Sequence, residues 1–236
     1  MIYKIESRQN QKIKDLVKLS NLKFSKEQKL FKIEGFHALE MAKESGALVS
    51  VFATKDIKGL KVPQYIVSES IMETISSAKT PQGVVCVCKY KEEKPLTSDK
   101  VLLLDNISDP GNIGTLLRTA LAFGYNDVIL RGGCSLYNEK VLQSTQGAVF
   151  KLNVISSFNE ELLKGYNVIA TEIKGSVDLS TLANVGKHVL ILGNEAHGVS
   201  KELLDISDVR VRINIQNIES LNVAVAGAIA MFELSK

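Results

Sequence analysis

The stretch that decides the fold is KVLLLDNISDPGNIGTLLRTALAFG, residues 100–124. It opens almost continuously apolar, the composition of a strand buried on both faces of a parallel sheet. A turn rich in Pro, Gly and Asn follows, and then an apolar-periodic helix carrying one Arg. Strand, Gly-containing turn and helix is an arrangement that offers backbone N–H groups to a ligand at a helix start. No Gly-Lys-Ser/Thr follows the turn, and G-x-G-x-x-G is absent, so neither a Walker loop nor a dinucleotide fingerprint is present. Gly114 and Arg118 are four apart and share a helix face. The missing side chain at Gly114 leaves room for Arg118 to reach out beside the turn.

Working toward the C-terminus, DVILRG, LNVISS, NVIATEI, HVLILGNE and VRVRINI have the composition of strands. EKVLQSTQGAVF, NEELLKGY and SKELLDIS separate them as helices, and a last helix is expected from Ser220. The alternation predicts a parallel sheet with helices on both faces. In HVLILGNEAHGVS (188–200), Gly193 allows close backbone approach at the carboxyl end of a strand, where ligands of open parallel sheets bind. Glu195 places a carboxylate at the same edge. It is expected either to fix Arg118 through a bidentate pair or to serve as an N-terminal charge on the next helix. His197, alone in a Gly-bounded loop, is incidental.

In INIQNIESLNVAVAGAIAMFEL (213–234), Val223 to Phe232 is apolar all round, so the helix is expected to be buried on every side. Ala224, Ala226, Gly227, Ala228 and Ala230 would let another helix come close, which implies a subunit interface. Ser220 is the expected N-cap. Asn222, a polar amide beside a buried apolar run, should have a defined partner.

Working toward the N-terminus, KEEKPLTSDK (91–100) is charged, contains Pro and has the composition of a linker. Before it, Ile13, Leu16, Val17 and Leu19 follow helical spacing with Lys on the other face. LFKIEG is an expected strand, FHALEMAKESG a helix closed by Gly46, LVSVFAT, QYIVS and GVVCVCKY strands, and ESIMETISSAK a helix. The first ninety-odd residues thus form a small alternating α/β unit.

The chain has 236 residues, 45% apolar and 23% charged, enough for one large or two small domains. The net charge of +3 hides an asymmetry: 17 Lys/Arg stand against 11 Asp/Glu through residue 95, and 12 against 15 afterwards. The excess lies almost wholly in residues 1–32, which suggests a polyanionic partner. Cys86 and Cys88, two apart on one strand, are poorly placed to bridge. With Cys134 they fit reduced thiols of a cytosolic protein. No His cluster or carboxylate cluster offers a metal site. The first residues lack an apolar h-region, so no signal peptide is expected. The longest apolar run, VAVAGAIAMF, is too short to span a bilayer.

Taken together, N-x-G-x-x-x-R (Asn112, Gly114, Arg118), G-x-E-x-x-G (Gly193, Glu195, Gly198) and S-L-N-V-A-V-A (Ser220 to Ala226) resemble the three signature motifs of the SpoU (TrmH-like) SPOUT RNA methyltransferases, in order and spacing. QNQKIKDLVKL, LFKIEGFHALEMA and TPQGVVCVC resemble that family's substrate-binding domain. The resemblance implies an α/β, parallel-sheet, trefoil-knotted methyltransferase domain over 100–236. An L30e/L7Ae-like RNA-binding domain over 1–92 and a linker at 93–99 would precede it. It implies methyl transfer from S-adenosylmethionine to a ribose 2′-OH of structured RNA, ribosomal RNA ahead of tRNA, by a cytoplasmic homodimer without metal or membrane.

By position, the resemblance gives Leu192, Gly193, Ile213, Leu221 and Asn222 to the methyl donor. Arg118 would act on the ribose hydroxyl, as base or as electrostatic stabiliser, with Asn112, Glu195, Ser220 and Asn222 around it. Lys12, Lys14, Lys18, Lys23 and Lys29, with Arg118, are the expected RNA contacts. Two departures fall in the donor loop: Asn214 stands where many relatives have Pro, and the 213–220 segment is about one residue short. The alternatives are a tRNA methyltransferase and a non-catalytic RNA-binding protein of the same fold.

Overall fold

The computed structural model describes residues 1–174, 177–182 and 185–236. In chain order the first elements are β1 (Ile2–Ile5), α1 (Gln11–Lys18), α2 (Leu22–Gln28), β2 (Leu30–Glu34), α3 (Phe36–Glu44), β3 (Leu48–Ala53), β4 (Gln64–Val67), α4 (Glu69–Ile75) and β5 (Val84–Lys89). Then come β6 (Lys100–Asp105), α5 (Pro110–Ala122), β7 (Asp127–Arg131), α6 (Glu139–Thr145), β8 (Asn153–Ile155), β9 (Asn167–Thr171), β10 (Val177–Asp178), β11 (His188–Leu192), α7 (Lys201–Asp205), β12 (Val209–Arg212) and α8 (Val223–Glu233).

The chain divides into two compact units. Met1–Glu92 with Tyr137–Phe150 forms one; Glu93–Leu136 with Lys151–Lys236 forms the other. The first is built on a five-stranded sheet in the order β1-β4-β3-β5-β2. The expected amphipathic helix is α1, started by Asn10, whose side chain accepts from Lys12 N. It buries Ile13 and Leu16, with Leu19 just beyond it, against Ile5, Phe52, Tyr65 and Val67. Two elements carry little sequence signal. One is β1, a four-residue edge strand exposed along most of its length. The other is α2, capped by Asn21 and stopped by Lys29 in the left-handed region at φ 51°.

The 137–150 segment packs with this unit for a polar and an aromatic reason. Glu139 pairs with the buried Lys32 at 3.0 Å and accepts from Ser20 Oγ and Ser77 Oγ. Tyr137 stacks on Tyr90 and lies against Phe31.

The second unit holds the parallel sheet expected from the alternation, in the order β10-β12-β9-β11-β6-β7-β8 among the described residues. Central β6 and β11 explain the apolar runs: Val101–Leu104 and Val189–Leu192 are buried by helices on both faces. NEELLKGY forms a 3₁₀ turn over Glu160–Leu163 in place of an α-helix. The linker-like segment is strapped to this unit. Thr97 N and Ser98 N donate to Asp127 Oδ2, Lys94 exchanges two hydrogen bonds with Asn153, and Glu93 accepts from Ser156 N and Ser157 Oγ.

The register places Leu104 beside Leu192 and Asp105 beside Arg131. The chain therefore leaves β6, β7 and β11 along one edge, where α5 and the Gly193 loop begin.

Candidate active site

Asp109 caps α5 by accepting from Asn112 N at 2.8 Å, and Pro110 at the first turn needs no N–H acceptor. The free N–H groups of this turn were expected to await a ligand. Within the chain their partner is Glu195. Its Oε2 accepts from Ser108 N and Ser108 Oγ, and its Oε1 accepts from Asp109 N and Asn112 Nδ2 at 2.9 Å. Partial burial raises the pKa of this carboxyl. The hydrogen bonds from Asn112 and from the backbone N–H groups of Glu195, Asp109 and Ser108 outweigh that and bring it down to about 2. Glu195 is therefore an anion fixed on the α5 turn.

This arrangement corrects three expectations. Glu195 does not pair with Arg118, which is exposed and has no hydrogen bond or ion pair among the described residues. Ser220 is not the cap of α8. It is exposed in the preceding loop, and Asn222 is the N-cap, its Oδ1 accepting from Ala224 N and Val225 N. The partner expected for Asn222 is Asn112, whose Oδ1 accepts from Asn222 Nδ2 at 3.0 Å. Finally, α8 is not buried on every side of this chain. Ala224, Gly227, Ala230 and Met231 face inward, while Val225, Ile229 and Phe232 are 50%, 36% and 49% exposed.

The result is one hydrogen-bonded line, Glu195–Asn112–Asn222, tying together the three motif stretches over separations of 83 and 110 residues. Asn112 can serve both ends because its amide carries a donor and an acceptor. Asn194 adds a brace: its Nδ2 donates to Asn106 O, and its Oδ1 accepts from Ala196 N and His197 N.

Leu192 is fully buried at the end of β11. A Cβ on Gly193 would lie 2.0 Å from Gly198 C and Val199 N, so the close approach it permits is to its own loop. Ile213, just past β12, and Leu221, just before the Asn222 cap, are half-buried. Between them, the N–H groups of Asn214 to Leu221 find no protein acceptor among the described residues. Half-buried apolar side chains thus stand next to backbone donors that no protein group claims, so the loop can offer a ligand both apolar and polar contacts.

A second network, missed in the sequence, anchors the far end of the Gly193 loop. Buried Asp105 accepts from Arg131 Nη1 and from Ser200 N, each at 2.7 Å. Arg131 also reaches Ser200 Oγ and pairs with Glu202 on α7. The available signal was a pair of opposite charges ending two adjacent buried strands, KVLLLD and DVILR.

In the first unit, Lys12, Lys14, Lys18, Lys23 and Lys29 are all exposed on or just after α1 and α2. Lys12 Nζ lies 5.1 Å over the Tyr65 ring. Cys86, Cys88 and Cys134 are free thiols, and burial raises Cys86 to about 12. Among the described residues no helix is long and apolar enough to cross a membrane.

A parallel sheet whose strand-end loops are tied through Glu195, Asn112 and Asn222 brings the three motif stretches to one edge, the arrangement expected of an RNA methylase. Residues 99–232 match the SpoU rRNA Methylase family and residues 10–86 the MRM3-like substrate binding domain. The chain belongs to the SpoU rRNA methylase family. It is 36% identical, over 98% of each chain, to the 23S rRNA (guanosine(2553)-2'-O)-methyltransferase RlmP of Bacillus subtilis. Among solved structures, an AdoMet-bound rRNA methyltransferase from Sinorhizobium meliloti has TM-score 0.88 at 28% identity, covering 98% of this chain and 97% of that one. An RNA 2'-O ribose methyltransferase gives TM-score 0.84 at 26% identity, covering 98% and 97%.

Proposed function

We propose that this chain transfers a methyl group from S-adenosylmethionine to a ribose 2′-oxygen of ribosomal RNA. The observation that carries the proposal is the Glu195–Asn112–Asn222 line, which joins all three signature stretches at one sheet edge. The donor, when bound, supplies a methyl already activated on a sulfonium. Leu192, Gly193, Ile213, Leu221 and Asn222 are assigned to hold it, largely through the loop's unclaimed backbone groups. What the chain must then supply is alignment of the ribose oxygen, an effect worth roughly 7–11 kcal/mol in well-oriented systems.

Arg118 is assigned to the ribose. It is exposed on α5, six residues past Asn112 and ~9 Å further along the helix axis. A guanidinium keeps its charge in proteins. Arg118 therefore favours the developing alkoxide or grips the adjoining phosphate, and the hydroxyl proton leaves to water. Glu195 acts by holding the α5 turn rather than by orienting Arg118. Ser220 is left as a loop hydroxyl facing solvent, available to the ribose.

The exposed Val225, Ile229 and Phe232 stripe on α8 supports a homodimer formed through the methyltransferase unit, and the chain end is taken to thread the trefoil knot of the family. The lysines of α1 and α2 are assigned to RNA phosphates. The buried, free thiols fit the cytoplasm, where thiols stay reduced.

The test is transfer of labelled methyl to ribosomal RNA. Arg118→Ala should lose transfer while keeping donor affinity. A variant that methylates near the parent rate would remove Arg118 from the reaction.

A further inference from the structure

We propose that Tyr3 is a stacking platform for an unpaired RNA base, the outermost ring of a three-ring series rooted in the core of the first unit. The proposal rests on the RNA reading above and names a contact within it. The strand register sets Tyr3 beside Tyr65 and Tyr65 beside Phe52, across β1, β4 and β3. The rings stack at centroid separations of 5.5 and 4.8 Å, with interplanar angles of 24° and 30°. Burial grades outward along the series: Phe52 is 3% exposed, Tyr65 8% and Tyr3 45%.

An aromatic ring anchored on one face and open on the other is what a nucleobase uses, because every base has a π-face and stacking tolerates sequence. β1 is an edge strand, so no protein strand lies beyond Tyr3 in this sheet. Tyr3 Oη donates to Met1 Sδ at 3.2 Å, a contact that restrains the phenol's orientation.

Charge selects the occupant. Residues 1–32 carry nine Lys/Arg against three Asp/Glu. Lys12 touches the same Tyr65 ring that backs Tyr3. A basic rim around an open aromatic matches a phosphate-linked base and disfavours a second copy of this equally basic surface.

The experiment measures binding of the full chain to a ribosomal RNA fragment with a single-stranded segment, over a range of salt. Tyr3→Leu should weaken binding roughly 5- to 150-fold, the range for loss of one base–aromatic stack, with the salt slope unchanged. Tyr3→Phe should bind like the parent. Lys12→Gln should lower both affinity and slope, the slope by about 0.7–0.9.

As a second readout, an RNA carrying 2-aminopurine should be quenched by the parent and by Tyr3→Phe, but not by Tyr3→Leu. If Tyr3→Leu binds and quenches like the parent while Lys12→Gln loses affinity and slope, the platform is overturned and the RNA reading survives. If the parent itself does not bind, the RNA reading fails first. If Tyr3→Leu changes only self-association, the exposed ring serves a protein contact and the proposal is wrong.

Discussion

Asn112→Asp isolates the link on which the site depends. It keeps the size of the side chain and the acceptor used by Asn222, and it replaces the donor facing Glu195 with a second carboxylate. Two effects add. A hydrogen bond to a charged acceptor is lost, worth about 1.5–3 kcal/mol. Two like charges about 3 Å apart then repel by ~1.4 kcal/mol in bulk water and by roughly 5 kcal/mol at an effective dielectric of 20. Glu195 is exposed, so the smaller figures apply. Together they reach roughly 3 kcal/mol, on the order of 100-fold in donor affinity if the loop must be in place to bind. Asn112→Ala, which adds no charge but loses both the bond to Glu195 and the bond from Asn222, should cost about 2 kcal/mol, on the order of 30-fold.

Calorimetric titration of S-adenosylmethionine against the three proteins reads both numbers. The pH dependence gives a further check. In the parent, Glu195 is depressed to about 2, so its contribution is complete above the unfolded carboxyl range near 4.3 and is lost as pH falls toward 2. In Asn112→Asp the paired carboxylates raise each other, so the difference in melting temperature from the parent should shrink between pH 7 and pH 5. Parent affinity in Asn112→Asp, or a pH-independent difference, would refute the reasoning.

Other perturbations reach the framework. A Cβ on Gly227 would come within 2.4 Å of Leu116 Cδ2 and 2.5 Å of Leu192 Cδ1. Gly227→Ala should therefore overpack α8 against α5 and β11, and denaturant unfolding should show a loss of roughly 1–3 kcal/mol. Asp105→Ala leaves Arg131 without its buried partner and frees Ser200 N. A stability loss of roughly 3 kcal/mol and a raised KM for the donor are expected from melting and steady-state kinetics. Buried His188 is bonded to Tyr125 Oη at Nε2 and to Gly186 O at Nδ1, and its pKa is lowered, by burial above all. Its folded state favours the neutral ring, so that contribution is full above about 6.5 and fades as pH falls below it. Unfolding titrations at pH 7.5 and 5.5 should show His188→Phe losing part of the parent's pH dependence.

The legible parts of this protein were those with local signals. Four consecutive apolar residues at 101–104 mark a strand covered on both faces, and β6 is one. The turn rich in Pro, Gly and Asn announces the start of α5. The motif stretches at 112, 195 and 222 stood out by residue type and spacing, but their wiring did not. Nothing local says that Glu195 binds the α5 turn, because the bonds to Ser108 and Asn112 cross more than eighty residues. Sequence alone does not locate the cap of α8, because Ser220 and Asn222 are both good cap residues. The choice falls on Asn222, the residue that also meets Asn112. Likewise, helical periodicity finds α6 but cannot tell that Lys32 and Phe31 draw 137–150 into the first unit. β1 is a four-residue edge strand, too short for its sequence to show alternation.

The most direct test of the central claim is a methylation map of ribosomal RNA lacking this modification, incubated with S-adenosylmethionine and either the purified chain or Arg118→Ala. The account expects a discrete 2′-O-methyl mark with the parent and none with the variant. Label on a base, or an equal mark from both proteins, would contradict it.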